Sequence, residues 1–116
     1  MNGLIIRSPF VEWILAGKKT WEIRGRYTYV RGKIALIRGG SGLVIGTCEL
    51  VDVVGPLTLR ELRKNARKLA EPKSKITSLS YETTYAWVLK NARGFKYPRR
   101  YKHPSGAVIW VKLRGL

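Results

Sequence analysis

Two aliphatic runs, Lys33–Arg38 and Leu43–Val54, flank the four residues Gly39-Gly40-Ser41-Gly42. Three glycines in four positions accept the positive φ angles of a tight reversal at no steric cost, so the two runs read as the arms of one long hairpin. Arms this apolar must be covered, and that commits the chain to a sheet-based core. The same glycines do not make a phosphate-binding loop, because the Lys-Ser/Thr pair such a loop requires is missing.

The rest of the chain supplies more strands and two helices. Leu4–Arg7 is a short apolar strand. Thr20, Glu22 and Arg24 alternate with Trp21 and Ile23, which predicts a strand with one polar and one buried face. Tyr85–Leu89 reads as a strand with its aromatics on one face, and Ala107–Leu113 as the closing strand. Between the first two strands, Ser8 is the predicted N-cap of a helix over Pro9–Ala16, with Pro9 at its first position. Val11, Ile14 and Leu15 form its apolar stripe, and Gly17 ends it. Thr58-Leu59-Arg60-Glu61 is a capping box opening a second helix that runs to about Ala70, before Pro72. Lys73–Ser80 reads as a polar loop and Lys90–Pro104 as a basic and aromatic loop. The expected fold is α+β: a small β-barrel of about five to six strands, closed or nearly so, with two main helices. A length of 116 residues without repeats or linkers predicts one domain over residues 1–116.

Charge narrows the partners. Twenty-three Lys and Arg face seven Asp and Glu, a net charge of +16, and no acid follows Glu82. Such self-repulsion is relieved by a polyanion, so nucleic acid is the expected partner and a membrane is not. Cys48 is the only cysteine, which excludes an internal disulfide and a multi-cysteine zinc site and predicts a buried, inert thiol. No metal or cofactor is expected. The start of the chain lacks a signal-peptide core and a spanning segment, so a cytoplasmic protein is expected.

The most specific local feature is Gly17-Lys18-Lys19-Thr20-Trp21-Glu22-Ile23-Arg24. It resembles the Gly-x-Lys-x-x-Glu-x-Arg signature of the ASCH family, with Gly17, Lys19, Glu22 and Arg24 matching. Tyr85–Leu89, Tyr97-Pro98 through Gly106, and Trp110 also look like that family, whereas residues 55–80 match nothing in it. The resemblance implies a PUA-like barrel, a fold known for binding RNA, with the motif lining a cleft beside the first helix. It also implies two enzymatic alternatives. Some relatives cleave single-stranded RNA, for which Lys19 and Tyr85 are the catalytic candidates here. A small bacterial type hydrolyses N4-acetylcytidine with a Lys, a Thr and a Glu; Glu22 stands where that Thr would fall, so the hydroxyl is missing. Other members sit in transcription coactivators, which leaves a DNA-associated interaction domain as a further alternative.

The predicted interface follows from these readings. Lys18, Lys19, Glu22, Arg24 and Arg26 form a charged cluster in which Glu22 is the sole acid, able to hold a cation toward a phosphate or base edge. Lys19, at the mouth of the helix-to-strand turn, is expected to reach outward and to matter for recognition more than for stability. Trp21 and Trp87 are candidates for stacking on bases, while Trp13 and Trp110 are assigned to the core. Arg99, Arg100, Tyr101, Lys102 and His103 make the densest basic-aromatic patch. Arg60, Arg63, Lys64, Arg67 and Lys68 provide a second basic face on the second helix. RNA, single-stranded or structured, is favoured over DNA; the oligomeric state is left open.

Overall fold

The computed structural model describes residues 1–116. In chain order the elements are β1 (Asn2–Ile6), α1 (Phe10–Leu15), β2 (Trp21–Arg24), β3 (Gly32–Arg38), β4 (Leu43–Val54), α2 (Leu59–Lys64), β5 (Tyr85–Arg100) and β6 (Trp110–Lys112). Two single 3₁₀ turns, Ala66–Leu69 and Lys73–Lys75, lie between α2 and β5. The six strands form one sheet in the order β2-β5-β4-β3-β1-β6. β1 and β3 run parallel; every other pair is antiparallel.

The Gly39–Gly42 segment is the expected hairpin turn. Gly40 and Gly42 have φ of 75° and 70°, and the Ser41 hydroxyl both donates to the Arg38 carbonyl and accepts from the Leu43 amide. β3 explains the long apolar runs. Its Ile34 and Leu36 join Leu4, Ile6, Val11, Ile14, Leu50 and Leu89 on one face, while Ala35 and Ile37 pack with Val44, Val111 and Leu113 on the other. A strand covered on both faces needs no polar alternation. A third apolar cluster places Leu57, Leu62, Leu69 and Ile76 against Trp21 and Ala86, seating α2 and its following turn on β2 and β5. Cys48 is buried as expected, and burial pushes its thiol pKa up to about 12, so it stays protonated and unreactive at neutral pH.

Several boundaries differ from the sequence reading. The sheet curls into an open half-barrel: β2 and β6 are its two edges and are not paired to each other. α1 is one turn and a half, with Pro9 rather than Ser8 at its N-cap; the Ser8 hydroxyl instead donates to the Glu12 carboxylate. The Thr58–Glu61 capping box forms in full, but α2 stops at Asn65, whose side-chain amide donates to the Glu61 carbonyl. That local bond competes with helix continuation, and the chain resumes as the 3₁₀ turn Ala66–Leu69. The largest correction concerns Lys90–Pro104. Most of it is strand, because β5 runs on to Arg100 and pairs with Leu43, Val44, Gly46 and Thr47 of the long β4. Its basic side chains face solvent, so pairing with β4 rather than burial makes it β, with an irregularity at residues 95–98 between the Gly46–Gly94 and Val44–Arg99 pairs. Gly46 permits the close pairing there: a Cβ on it would run into the Arg93 carbonyl and, at 2.6 Å, the Leu15 side chain. β6 keeps only three of the residues expected for the closing strand.

Candidate functional site

Gly17, with φ of 76° and open space around it, turns the chain sharply from α1 toward β2. The amides of Lys18 and Lys19 both donate to the Trp13 carbonyl, and the Thr20 amide donates to the Lys68 carbonyl. These bonds set the phase of β2. Glu22 and Arg24, two residues apart, therefore share a strand face, and Lys19 folds over the same face from the turn.

The three charges form one network. Arg24 donates to Glu22 Oε2 through Nε at 3.1 Å and Nη2 at 2.8 Å, while Lys19 Nζ lies 3.8 Å from Glu22 Oε1. Lys19 Nζ also sits 5.7 Å from the Phe10 ring centroid, and the Arg24 guanidinium lies over Trp87 at 5.5 Å. Arg24 Nη2 additionally donates to the Ile5 carbonyl at 2.9 Å. Ile5 belongs to β1, so this side chain crosses from one edge strand to the strand beside the other edge. It stitches the seam that the open sheet leaves unpaired.

Lys19 is only 6% exposed and Glu22 8%. The expectation that Lys19 reaches freely outward is thus corrected: the short α1 and the Gly17 turn tuck its stem against Phe10. Burial depresses the Lys19 pKa below the usual lysine value, partly countered by the nearby carboxylates of Glu22 and Glu71. The sign of the resulting pH dependence is definite. Between the depressed native pKa and the ordinary one, the unfolded chain binds the proton more readily, so raising the pH stabilises the fold. Lys19→Met, which leaves the Glu22–Arg24 pair intact, is therefore expected to unfold within about 1 kcal/mol of the parent or later at neutral pH. Its standing relative to the parent should decline as the pH rises through that alkaline window. Urea unfolding of both proteins at neutral and alkaline pH measures this, and a constant difference would contradict it.

The network forms one wall of a cleft of about 580 Å³ between the end of β1, the start of α1, β2 and the segment from Glu71 to Tyr81. Four cations line it, Arg7, Lys19, Arg24 and Lys75, against two acids, Glu22 and Glu71. Ile5, Phe10, Ile23, Ile76 and Val108 give it apolar surface, and Thr77, Ser78, Ser80 and Tyr81 bring hydroxyl-bearing side chains. A cleft that joins apolar faces to a few cations and hydroxyls can hold a flat heteroaromatic ring together with an anionic group.

Not every predicted site residue comes to this cleft. Lys18 and Arg26 are exposed but do not line it. The two tryptophans expected to stack on bases are buried instead. Trp21 is 5% exposed and packs beneath α2, with Lys68 Nζ 4.8 Å over its ring; Trp87 is 2% exposed, stacks on Trp110 and donates from Nε1 to the Arg26 carbonyl. Neither can stack on a base; Trp13 and Trp110 are half-buried, and Trp110 packs against the main core as expected. Tyr85 is half-buried against Tyr27 and does not line the cleft, so it does not meet Lys19; Tyr81 is the cleft's tyrosine. Thr20 is also absent from its lining.

Arg99 and Arg100 are exposed on β5, in register with Val44 and Leu43, rather than on a loop. Lys102 is exposed beyond them. His103 Nε2 lies 2.8 Å from the Ala107 carbonyl and Nδ1 2.7 Å from the Tyr101 hydroxyl. A carbonyl only accepts, so neutral His103 carries its proton on Nε2 and Tyr101 donates to Nδ1. The pair braces the turn, and burial raises the Tyr101 pKa. On α2, Arg60, Arg63 and Lys64 surround a shallow depression with Lys73 and Leu59, while Arg67 and Lys68 lie on the 3₁₀ turn outside it. Sequence reasoning missed Arg7, Lys75 and the hydroxyl run from Thr77 to Tyr81. The density of hydroxyls just after a Lys-Ser-Lys run was the available signal.

An open, curled six-stranded sheet with a cleft beside its first helix defines a PUA-like domain of the α+β class. The chain belongs to the ASCH domain family, whose model matches residues 4–99. Among solved structures, the ASCH protein of Zymomonas mobilis superposes with a TM-score of 0.74 at 18% identity, covering 97% of this chain and 87% of that one. Two point mutants of the same protein each give a TM-score of 0.72 at 19% identity and cover 97% of this chain, against 87% and 89% of theirs. At this identity the likeness is one of fold. No curated protein matches the sequence. No helix is long and apolar enough to cross a membrane.

Proposed function

We propose that this chain, acting as one domain, binds RNA, and that the cleft beside α1 receives an unstacked nucleotide of a single-stranded segment. The observation that carries the reading is the cleft itself: apolar walls, hydroxyls and an excess of cations in a chain of net charge +16. Single-stranded RNA suits such a site because its bases can splay out and offer their edges, which a duplex keeps stacked. Arg7 and Lys75 are the cleft cations outside the Lys19–Glu22–Arg24 network, so they are best placed to meet phosphate.

Arg7→Ala combined with Lys75→Ala is expected to lower the log–log salt slope of single-strand binding by about 1.4, the loss of two phosphate contacts at about 0.7 each. Titration of both proteins with single-stranded RNA over a range of KCl, with duplex DNA as competitor, tests the reading. Duplex DNA that competes on equal terms would overturn the preference for single-stranded RNA. An unchanged slope in the double variant would move the phosphate path away from the cleft.

A second reading is RNA cleavage in the same cleft. A buried lysine with a depressed pKa is closer to acting as a general base than an ordinary one, and it shares the cleft with Ser78, Ser80 and Tyr81. Product formation from an end-labelled RNA oligonucleotide, lost in Lys19→Met, would favour it over binding alone.

A further inference from the structure

The segment Gly25–Arg31, between β2 and β3, does not line the cleft, and of its residues only Arg26 belonged to the predicted interface. Tyr29 in it is 89% exposed, the most exposed of the large apolar or aromatic side chains, and Tyr27 beside it is 44% exposed. Their ring centroids are 4.8 Å apart, and Tyr27 meets Tyr85 edge-on at 5.9 Å, which anchors the pair to β5. Arg31 ties the segment together by its own hydrogen bonds. Its Nη1 donates to the carbonyls of Thr28 and Val30, both at 2.8 Å, and its Nη2 donates to the Tyr27 hydroxyl at 3.0 Å. Thr28 is buried, with its hydroxyl accepting from the Val30 amide, and the Arg26 carbonyl is held by Trp87. The segment so bonded presents Tyr29 to solvent.

Charge selects the occupant of this platform. From Ile23 to Cys48 there is no acidic residue, while Arg24, Arg26, Arg31, Lys33 and Arg38 all fall in that stretch. A fixed aromatic face within such a field suits a ring attached to an anion. A tyrosine has few torsions to freeze on contact, so it loses little entropy when a flat partner stacks on it. The geometry points to Tyr29, supported by Tyr27 and Arg31, as a stacking platform for one unpaired base of single-stranded RNA. This inference rests on the RNA-binding reading and extends it. Tyr29 stands five positions after Arg24 on the cleft wall, at most about 18 Å of chain, so one strand can occupy both places.

The test compares two ligands of equal length, oligouridylate and an abasic phosphodiester strand, bound to the parent protein, Tyr29→Ala and Tyr29→Trp. The parent should prefer oligouridylate. Tyr29→Ala should lose about 5- to 150-fold on oligouridylate, the span of one base–aromatic stack, and stay within about twofold on the abasic strand. Tyr29→Trp should bind oligouridylate at least as well as the parent. Because Tyr29 is exposed, all three should melt alike, and sedimentation should give the same mass. If the parent binds both strands with salt dependence but Tyr29→Ala loses nothing on oligouridylate, the platform is overturned and the RNA-binding reading stands. A parent that binds neither strand overturns both. A change of oligomeric mass in Tyr29→Ala would assign the tyrosine to a contact between copies of the chain, which also overturns the platform.

Discussion

Glu22→Ala is expected to lower folding stability by about 3–5 kcal/mol, the usual consequence of removing one partner from a buried ionic group. The arithmetic lies in what remains. Lys19 stays 6% exposed with its nearest counter-charge gone, and Arg24 loses the acceptor for two of its three hydrogen bonds, keeping only the Ile5 carbonyl. In a chain of net charge +16 no other acid is positioned to step in at those distances; Glu71 lines the same cleft but forms no ion pair. The loss should appear in urea unfolding as a lower midpoint at unchanged slope. Two comparisons separate the network from general charge repulsion. Glu22→Gln keeps the shape and one acceptor oxygen and should lose less. Lys19→Met in the Glu22→Gln background should recover part of the deficit, because it removes one of the two stranded cations. A loss in Glu22→Ala below about 1 kcal/mol, within the ordinary range for exposed sites, would show that the network does not hold the seam.

Raising KCl from about 50 mM to about 200 mM should weaken single-stranded RNA binding by about 50- to 900-fold. That range follows from about four to seven neutralised phosphates at a slope of about −0.7 each. The structure says which cations can contribute. Lys19 and Arg24 are already paired with Glu22 and release few counterions. Arg7 and Lys75 in the cleft, the face that Arg60, Arg63 and Lys64 of α2 form with Lys73, and Arg99 and Arg100 on β5 carry no salt bridge. A strand that follows only the cleft would give the low end, and one that continues over a second face the high end. Measured by anisotropy with a labelled oligonucleotide, a slope shallower than about −1 would mean that phosphate neutralisation does not drive binding, and the reading from net charge would fail.

Much of the fold was legible because its signals are local. The Gly39–Gly42 turn, the Thr58–Glu61 capping box and the stop at Gly17 each depend on a few adjacent residues and their backbone preferences, and each formed. Elements whose partners are distant in sequence were less legible. Lys90–Arg100 looks like a loop by composition, yet it is strand because β4 is long enough to pair with it. Asn65 ended α2 by a side-chain bond that a helical stripe cannot anticipate.

For the site, the sequence named the three members of the charged network, together with Lys18 and Arg26, which stay outside it. Alternation put Glu22 and Arg24 on one face, and the motif spacing put Lys19 next to them. Tertiary structure alone decided which of these groups meet solvent. Whether Lys19 is tucked against Phe10, whether Trp21 and Trp87 are covered by α2 and Trp110, and whether Tyr85 reaches the cleft all depend on what packs over β2 and β5. That covering comes from α1, from residues 57–81 and from the far end of the chain. Pattern along a strand reports which side chains share a face; it carries no information on what lies above that face, because burial is a property of contacts between distant segments.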